Sequence, residues 1–89
     1  MPSTTVTILN RLGLHARPAA KFVQTAARFD SQIQVSRNGK NVNGKSIMGM
    51  MMLAAAQGAE LEITTEGSDA EEALSALTSL VAERFGEPG

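Results

Sequence analysis

The sequence predicts an α+β fold in which helices cover one face of a sheet and water reaches the other. Three observations carry this: short β-branched runs alternate apolar with polar residues, longer runs repeat apolar residues at helical spacing, and turn signals separate the two in the order β-α-β-β-α-β-α. Such an arrangement is an α+β open sandwich. The pattern leaves the strand order open, since a ferredoxin-like sheet would give much the same string.

Each element has its own signal. Thr5-Val6-Thr7-Ile8-Leu9 reads as a first strand with Val6 and Ile8 turned inward, and Asn10-Arg11-Leu12-Gly13 breaks it. Ala16, Ala19, Ala20, Val23, Ala26 and Ala27, flanked by Phe22 and Phe29, form the stripe of a helix of about three turns that Asp30-Ser31 ends. Ile33 and Val35 alternate with Gln32, Gln34 and Ser36 in a second strand, and the Asn38-Gly39 pair favours a type I′ hairpin into a short third strand at Asn41-Val42. Ser46 is placed to cap a short helix from Ile47 to Ala56 that stops near Gly58. Leu61, Ile63 and Thr65 alternate with Glu60, Glu62 and Glu66, a fourth strand with one acidic, solvated face. Ser68-Asp69-Ala70-Glu71 reads as a capping box, and Ala70, Ala73, Leu74, Leu77, Leu80 and Val81 stripe a last helix until Gly86 and Pro88 end it.

Composition narrows the function. Eighty-nine residues leave room for one domain, taken here as 1–89, and 43% hydrophobic against 19% charged residues suit a folded chain. The absence of cysteine excludes a disulfide, a thiolate nucleophile and Cys-ligated metal, and a single histidine excludes a His-rich zinc site or a two-imidazole scheme. A net charge of -1 and 3% aromatics argue against nucleic-acid binding. No apolar run approaches the ~20 residues of a membrane span, and the first residues lack a charged and apolar leader, so the expectation is a cytoplasmic protein with no membrane insertion.

The one histidine lies in Gly13-Leu14-His15-Ala16-Arg17-Pro18-Ala19-Ala20, where a loop becomes a helix. There the backbone N–H groups of Ala16 and Arg17 have no helical partner and can meet an anion beside the imidazole. Pro18 costs least in a first turn, and Arg17 adds a fixed charge that can fork a phosphate. The positive helix end disfavours imidazolium and keeps one ring nitrogen nucleophilic. This combination suits a phosphohistidine, and with no second base or metal near it hydrolysis would be slow. The plainer alternative is a His15 that caps the helix and an Arg17 that is merely solvated.

Gly39-Lys40-Asn41-Val42-Asn43-Gly44-Lys45-Ser46 fits G-x-x-x-x-G-K-[ST], yet the buried parallel strand, long helix and acidic partner strand of a P-loop are missing. The hairpin explains both glycines. Ser46 reads either as a helix cap or as a phosphorylation site, since a phosphate is tolerated at a helix start. Four of the five methionines, Met48, Met50, Met51 and Met52, follow it. With Ile47, Met50, Met51 and Ala54 facing the core, Met48, Met52 and Ala55 point elsewhere, and a helix apolar on its outer side suggests an adaptable docking patch. Glu60, Glu62 and Glu66 carry no signal for paired-carboxylate catalysis.

Gly13-Leu14-His15-Ala16-Arg17-Pro18-Ala19, together with Asn43-Gly44-Lys45-Ser46-Ile47-Met48-Gly49-Met50-Met51, resembles the HPr family, the histidine-containing phosphocarriers of the bacterial phosphotransferase system. The likeness runs over about residues 4 to 86. It implies an open-faced β-sandwich, four antiparallel strands with three helices on one side, and so answers the question of strand order. It implies that His15 takes a phosphoryl group on Nδ1 from phosphorylated Enzyme I, charged by phosphoenolpyruvate, and passes it to an EIIA-type protein in sugar uptake and its regulation. The alternative is a nitrogen-related or purely regulatory branch of the same system. Arg17 would hold the phosphate, and Ser46 would be the site of an HPr kinase/phosphorylase. Docking would map onto Ala16, Arg17, Ala20, Gln24, Ala27, Ile47, Met48 and Met51. Some relatives carry lysines where this chain has Gln24 and Ala27, so basic steering of acidic partners should be weaker here. The chain would be a monomeric carrier rather than an independent enzyme, without a cofactor, and retention of His15 sets it apart from relatives that lost the histidine and only regulate.

Overall fold

The computed structural model describes residues 1–87. Strands β1 (Ser3–Thr7), β2 (Gln32–Arg37), β3 (Lys40–Asn43) and β4 (Glu60–Glu66) form one antiparallel sheet in the order β1-β4-β2-β3. Helices α1 (Ala16–Ala26), α2 (Ile47–Met52) and α3 (Ala70–Ala82) lie over one face, followed by a 3₁₀ turn at Arg84–Gly86. The element order and the open sandwich are those the sequence predicts. The strand order puts the first strand beside the last, with Val6 opposite Leu61, while Val35 faces Ile63 across the central pair.

Alternation sorts the sheet as expected. Val6, Ile33, Val35, Leu61 and Ile63 share one buried core with Phe22, Met50, Leu77, Val81 and Phe85, and Thr65 is buried as well, whereas Gln34, Glu60 and Glu62 stay in water. The β2–β3 connection is the predicted hairpin: Asn38 and Gly39 take φ of 52° and 83°, the left-handed pair that a type I′ turn requires.

Several details differ from the expectation. β1 lies two residues earlier than Thr5–Leu9, so Ile8 falls just past it; its N–H still donates to the Ala59 carbonyl at 2.9 Å and its side chain is fully buried. In α1 the core face is Pro18, Ala19, Phe22 and Ala26, while Ala16 and Ala27 are exposed. Alanine marks a helix face poorly because it buries little area, and the larger Phe22 decides which face turns inward.

α2 stops at Met52 instead of reaching Ala56, because Ala54 turns to φ 50° and the chain bends to bury Leu53 and Ala55. Cations from the neighbouring hairpin finish the helix: Arg37 Nη1 donates to the Leu53 carbonyl at 2.9 Å and Lys40 Nζ to that of Met52 at 3.4 Å. Finally, Asp69 rather than Ser68 occupies the cap position of α3, and no side chain caps it. Its carboxylate accepts instead from the N–H groups of Asp30 and Ser31, each at 2.9 Å, and from the Ser31 hydroxyl. Three donors just before β2 outweigh a single helix N–H. α3 ends at Ala82, ahead of the predicted Gly86, and Pro88 lies outside the described residues.

Candidate functional site

The loop from Ile8 to His15 delivers the histidine. Gly13, at φ 72°, sits so close to the segment after α2 that a β-carbon there would lie 2.6 Å from the Ala55 carbonyl oxygen. The next residue, Leu14, donates its N–H to that same carbonyl at 2.8 Å and buries its side chain. His15 follows as the last extended residue before α1, and its carbonyl takes the first helical bond, from Ala19 N–H at 3.0 Å.

The imidazole does not cap the helix. Its side chain is 37% exposed, and Nε2 lies 3.2 and 3.1 Å from the two carboxylate oxygens of Glu87. Nδ1 has no hydrogen-bond partner among the described residues. The free N–H groups of Ala16 and Arg17 begin the helix, no acidic residue occupies its first turn, and Pro18 is buried there. Arg17 is exposed and its guanidinium bonds to no described residue, so it is available to an incoming anion.

Glu87 and Asn10 belong to this site, and local reading of the sequence missed both. Asn10 Nδ2 donates at 3.0 Å to Glu87 Oε1 and at 2.7 Å to the Gly13 carbonyl, using both amide hydrogens. Asn10 itself is 1% exposed, and its Oδ1 is buried without a partner. Burial pushes the Glu87 carboxyl up, but hydrogen bonds from His15 and Asn10 and the charges of His15 and Arg17 outweigh this and hold it below the usual range. It is therefore an ionised acceptor at neutral pH. A second base does lie beside the imidazole, which corrects the expectation of none. Only Asn10 carried any signal, as the residue that breaks the first strand.

Ser46 stands at the start of α2, where its Oγ accepts from Gly49 N–H at 3.0 Å, the predicted cap. Of the residues expected to face the core from this helix only Met50 does so; Ile47, Met51 and Ala54 are exposed, and Ala55 is buried instead. The exposed side is thus more apolar than predicted, with Met48 at 73% and Met52 at 60%. α2 packs against α1, where Ala16, Arg17, Gln24 and Ala27 are exposed and Ala20 is half-buried. In the P-loop-like string, Lys45 Nζ donates to the Phe29 carbonyl at 2.7 Å, so that lysine is engaged inside the fold.

Comparison with known proteins agrees with this layout. Residues 2–83 match the family model PTS-HPr, the HPr component phosphorylation site of the phosphotransferase system. Phosphocarrier protein HPr of Neisseria meningitidis is 53% identical over 87 residues, covering 98% of each chain. A crystal structure of HPr from Thermoanaerobacter tengcongensis superposes with a TM-score of 0.96 at 52% identity over 100% of both chains, and another from that organism is an HPr dimer. No helix among the described residues is long and apolar enough to cross a membrane. With identity this high over the full chain and the same open sheet beneath three helices, the chain belongs to the HPr family, the phosphocarrier proteins of the phosphotransferase system.

Proposed function

We propose that His15 is the phosphoryl acceptor, taking the group on Nδ1 from phosphorylated Enzyme I and passing it to an EIIA-type protein. The observation that carries this is the half-exposed ring at the start of α1, with Nε2 engaged and Nδ1 unbonded beside the free N–H groups of Ala16 and Arg17. A transferred phosphate would meet those donors, the helix end and the Arg17 guanidinium together. The chain then works as a recycled reactant rather than an enzyme, as one cytoplasmic, monomeric domain over residues 1–89.

The exposed apolar side of α2 and the line Ala16, Arg17, Ala20, Gln24 and Ala27 form the docking face that both partners use in turn. Met-rich surfaces re-pack against different partners, which favours a carrier that must fit a donor and then an acceptor. Ser46 lies at the edge of this face and serves as the regulatory phosphorylation site for an HPr kinase/phosphorylase.

The test is incubation with phosphoenolpyruvate and Enzyme I. An acid-labile, base-stable phosphoryl group is expected on the wild type and none on His15→Ala; an unlabelled wild type, or a labelled His15→Ala, sinks the assignment.

A further inference from the structure

We infer that Glu87 is a positioning residue for the accepting ring: its carboxylate holds the hydrogen on Nε2, so that Nδ1 presents the lone pair, and it faces the positive charge that grows on the ring as phosphorus arrives. This rests on His15 being the acceptor. A carboxylate only accepts hydrogen bonds, and it lies 3.2 and 3.1 Å from Nε2, so the hydrogen belongs on that nitrogen. In a neutral imidazole the other nitrogen is then unprotonated.

The carboxylate is itself held from both sides. Buried Asn10 donates to Oε1 at 3.0 Å, and the segment before Glu87 is anchored by buried Phe85, whose carbonyl accepts from Lys21 Nζ at 2.7 Å. Arg84, Phe85 and Gly86 all take left-handed φ, 58°, 54° and 76°, and this turn carries the chain back to the start of α1. Two consecutive non-glycine residues in that region are costly, and the buried ring and the Lys21 bond hold them there. An orienting carboxylate behind an imidazole is the arrangement that fixes the tautomer of a catalytic histidine elsewhere.

The step balances without proton movement. The Nδ1 lone pair forms the N–P bond as the donor's bond to phosphorus breaks and the donor keeps that pair; Nε2 keeps its hydrogen, and the ring becomes cationic opposite Glu87. On onward transfer the N–P pair returns to Nδ1 and the neutral ring is restored. A carboxylate at Nε2 therefore favours arrival of the phosphoryl group, and on onward transfer it keeps Nε2 protonated so that the ring leaves as a neutral imidazole.

The test compares wild type, Glu87→Ala and Glu87→Gln, each labelled with ¹⁵N-histidine, by ring-nitrogen spectra and by transfer from phosphorylated Enzyme I. For Glu87→Ala the expectation is a rate constant about tenfold lower at unchanged KM, with a larger share of the Nδ1–H tautomer. Glu87→Gln, whose carbonyl still accepts from Nε2–H, should restore the tautomer and only part of the rate. Wild-type rates and spectra in Glu87→Ala overturn the proposal, and so does a rate loss with unchanged ring spectra, which would mean that Glu87 merely ties down the tail. If wild type takes no phosphoryl group on His15, the carrier assignment fails separately, and the ring spectra still decide whether Glu87 sets the tautomer.

Discussion

Gly13 and Asp69 show how single residues fix the site and the fold. At Gly13 any side chain would need a left-handed φ of 72° and would meet the backbone of Ala55 and Ala56 at 2.6 and 2.9 Å. Gly13→Ala should therefore lose about 2 kcal/mol of stability in urea unfolding and, by shifting the loop that carries His15, slow its phosphorylation. At Asp69 the Ser31 hydroxyl, with the N–H of Asp30 and then that of Ser31, holds the carboxyl below its ordinary value against a smaller opposing effect of desolvation. A group whose folded pKa is depressed stabilises the fold above its unfolded value, about 3.9, and loses that contribution as pH falls through the lower folded value. Asp69→Asn is thus expected to be less stable than wild type at pH 7, with the gap closing below about pH 4 when urea midpoints are compared across pH.

At the scale of the element, α2 separates one core residue from an exposed apolar side. Only Met50 enters the core, and the Ser46 cap and the Arg37 and Lys40 bonds hold the two ends of a six-residue helix. Ser46→Ala removes the cap and should cost about 1 kcal/mol. A phosphate on Ser46 should leave the fold intact yet slow transfer at His15, because a charge of about -2 would sit on the proposed docking surface and repel an acidic partner. Stopped-flow transfer with the phosphorylated protein checks this, and unchanged kinetics count against it. Met48→Glu should raise KM for Enzyme I without moving the urea midpoint, because its side chain is 73% exposed and only the proposed docking face would change.

Across the whole molecule, the C-terminal segment couples core to site. Phe85 is 1% exposed, so Phe85→Ala should cost about 3–5 kcal/mol and also free Glu87 from His15. Urea unfolding reads the first effect and the His15 ring spectra the second. Periodicity reported the elements faithfully where apolar residues were large and β-branched, as in β2 and β4, and less faithfully where alanines marked the stripe, as in α1. Capping was legible at Ser46, where no stronger donor competed. It misled at Ser68 and Asp69, where the residues just before β2 claim the carboxylate.

By itself the sequence determined the order of the elements, the hairpin at Asn38-Gly39, the cap at Ser46 and a histidine placed at a helix start beside an arginine. Each of these is a local property, set within a turn or two of chain by steric preference and apolar spacing. Tertiary structure alone decided that β1 lies against β4, that the outer side of α2 stays bare, and that Glu87, 72 residues from His15, holds its ring together with Asn10. A contact across that distance leaves no periodic trace, because it depends on where the packed core sends the last turn of the chain.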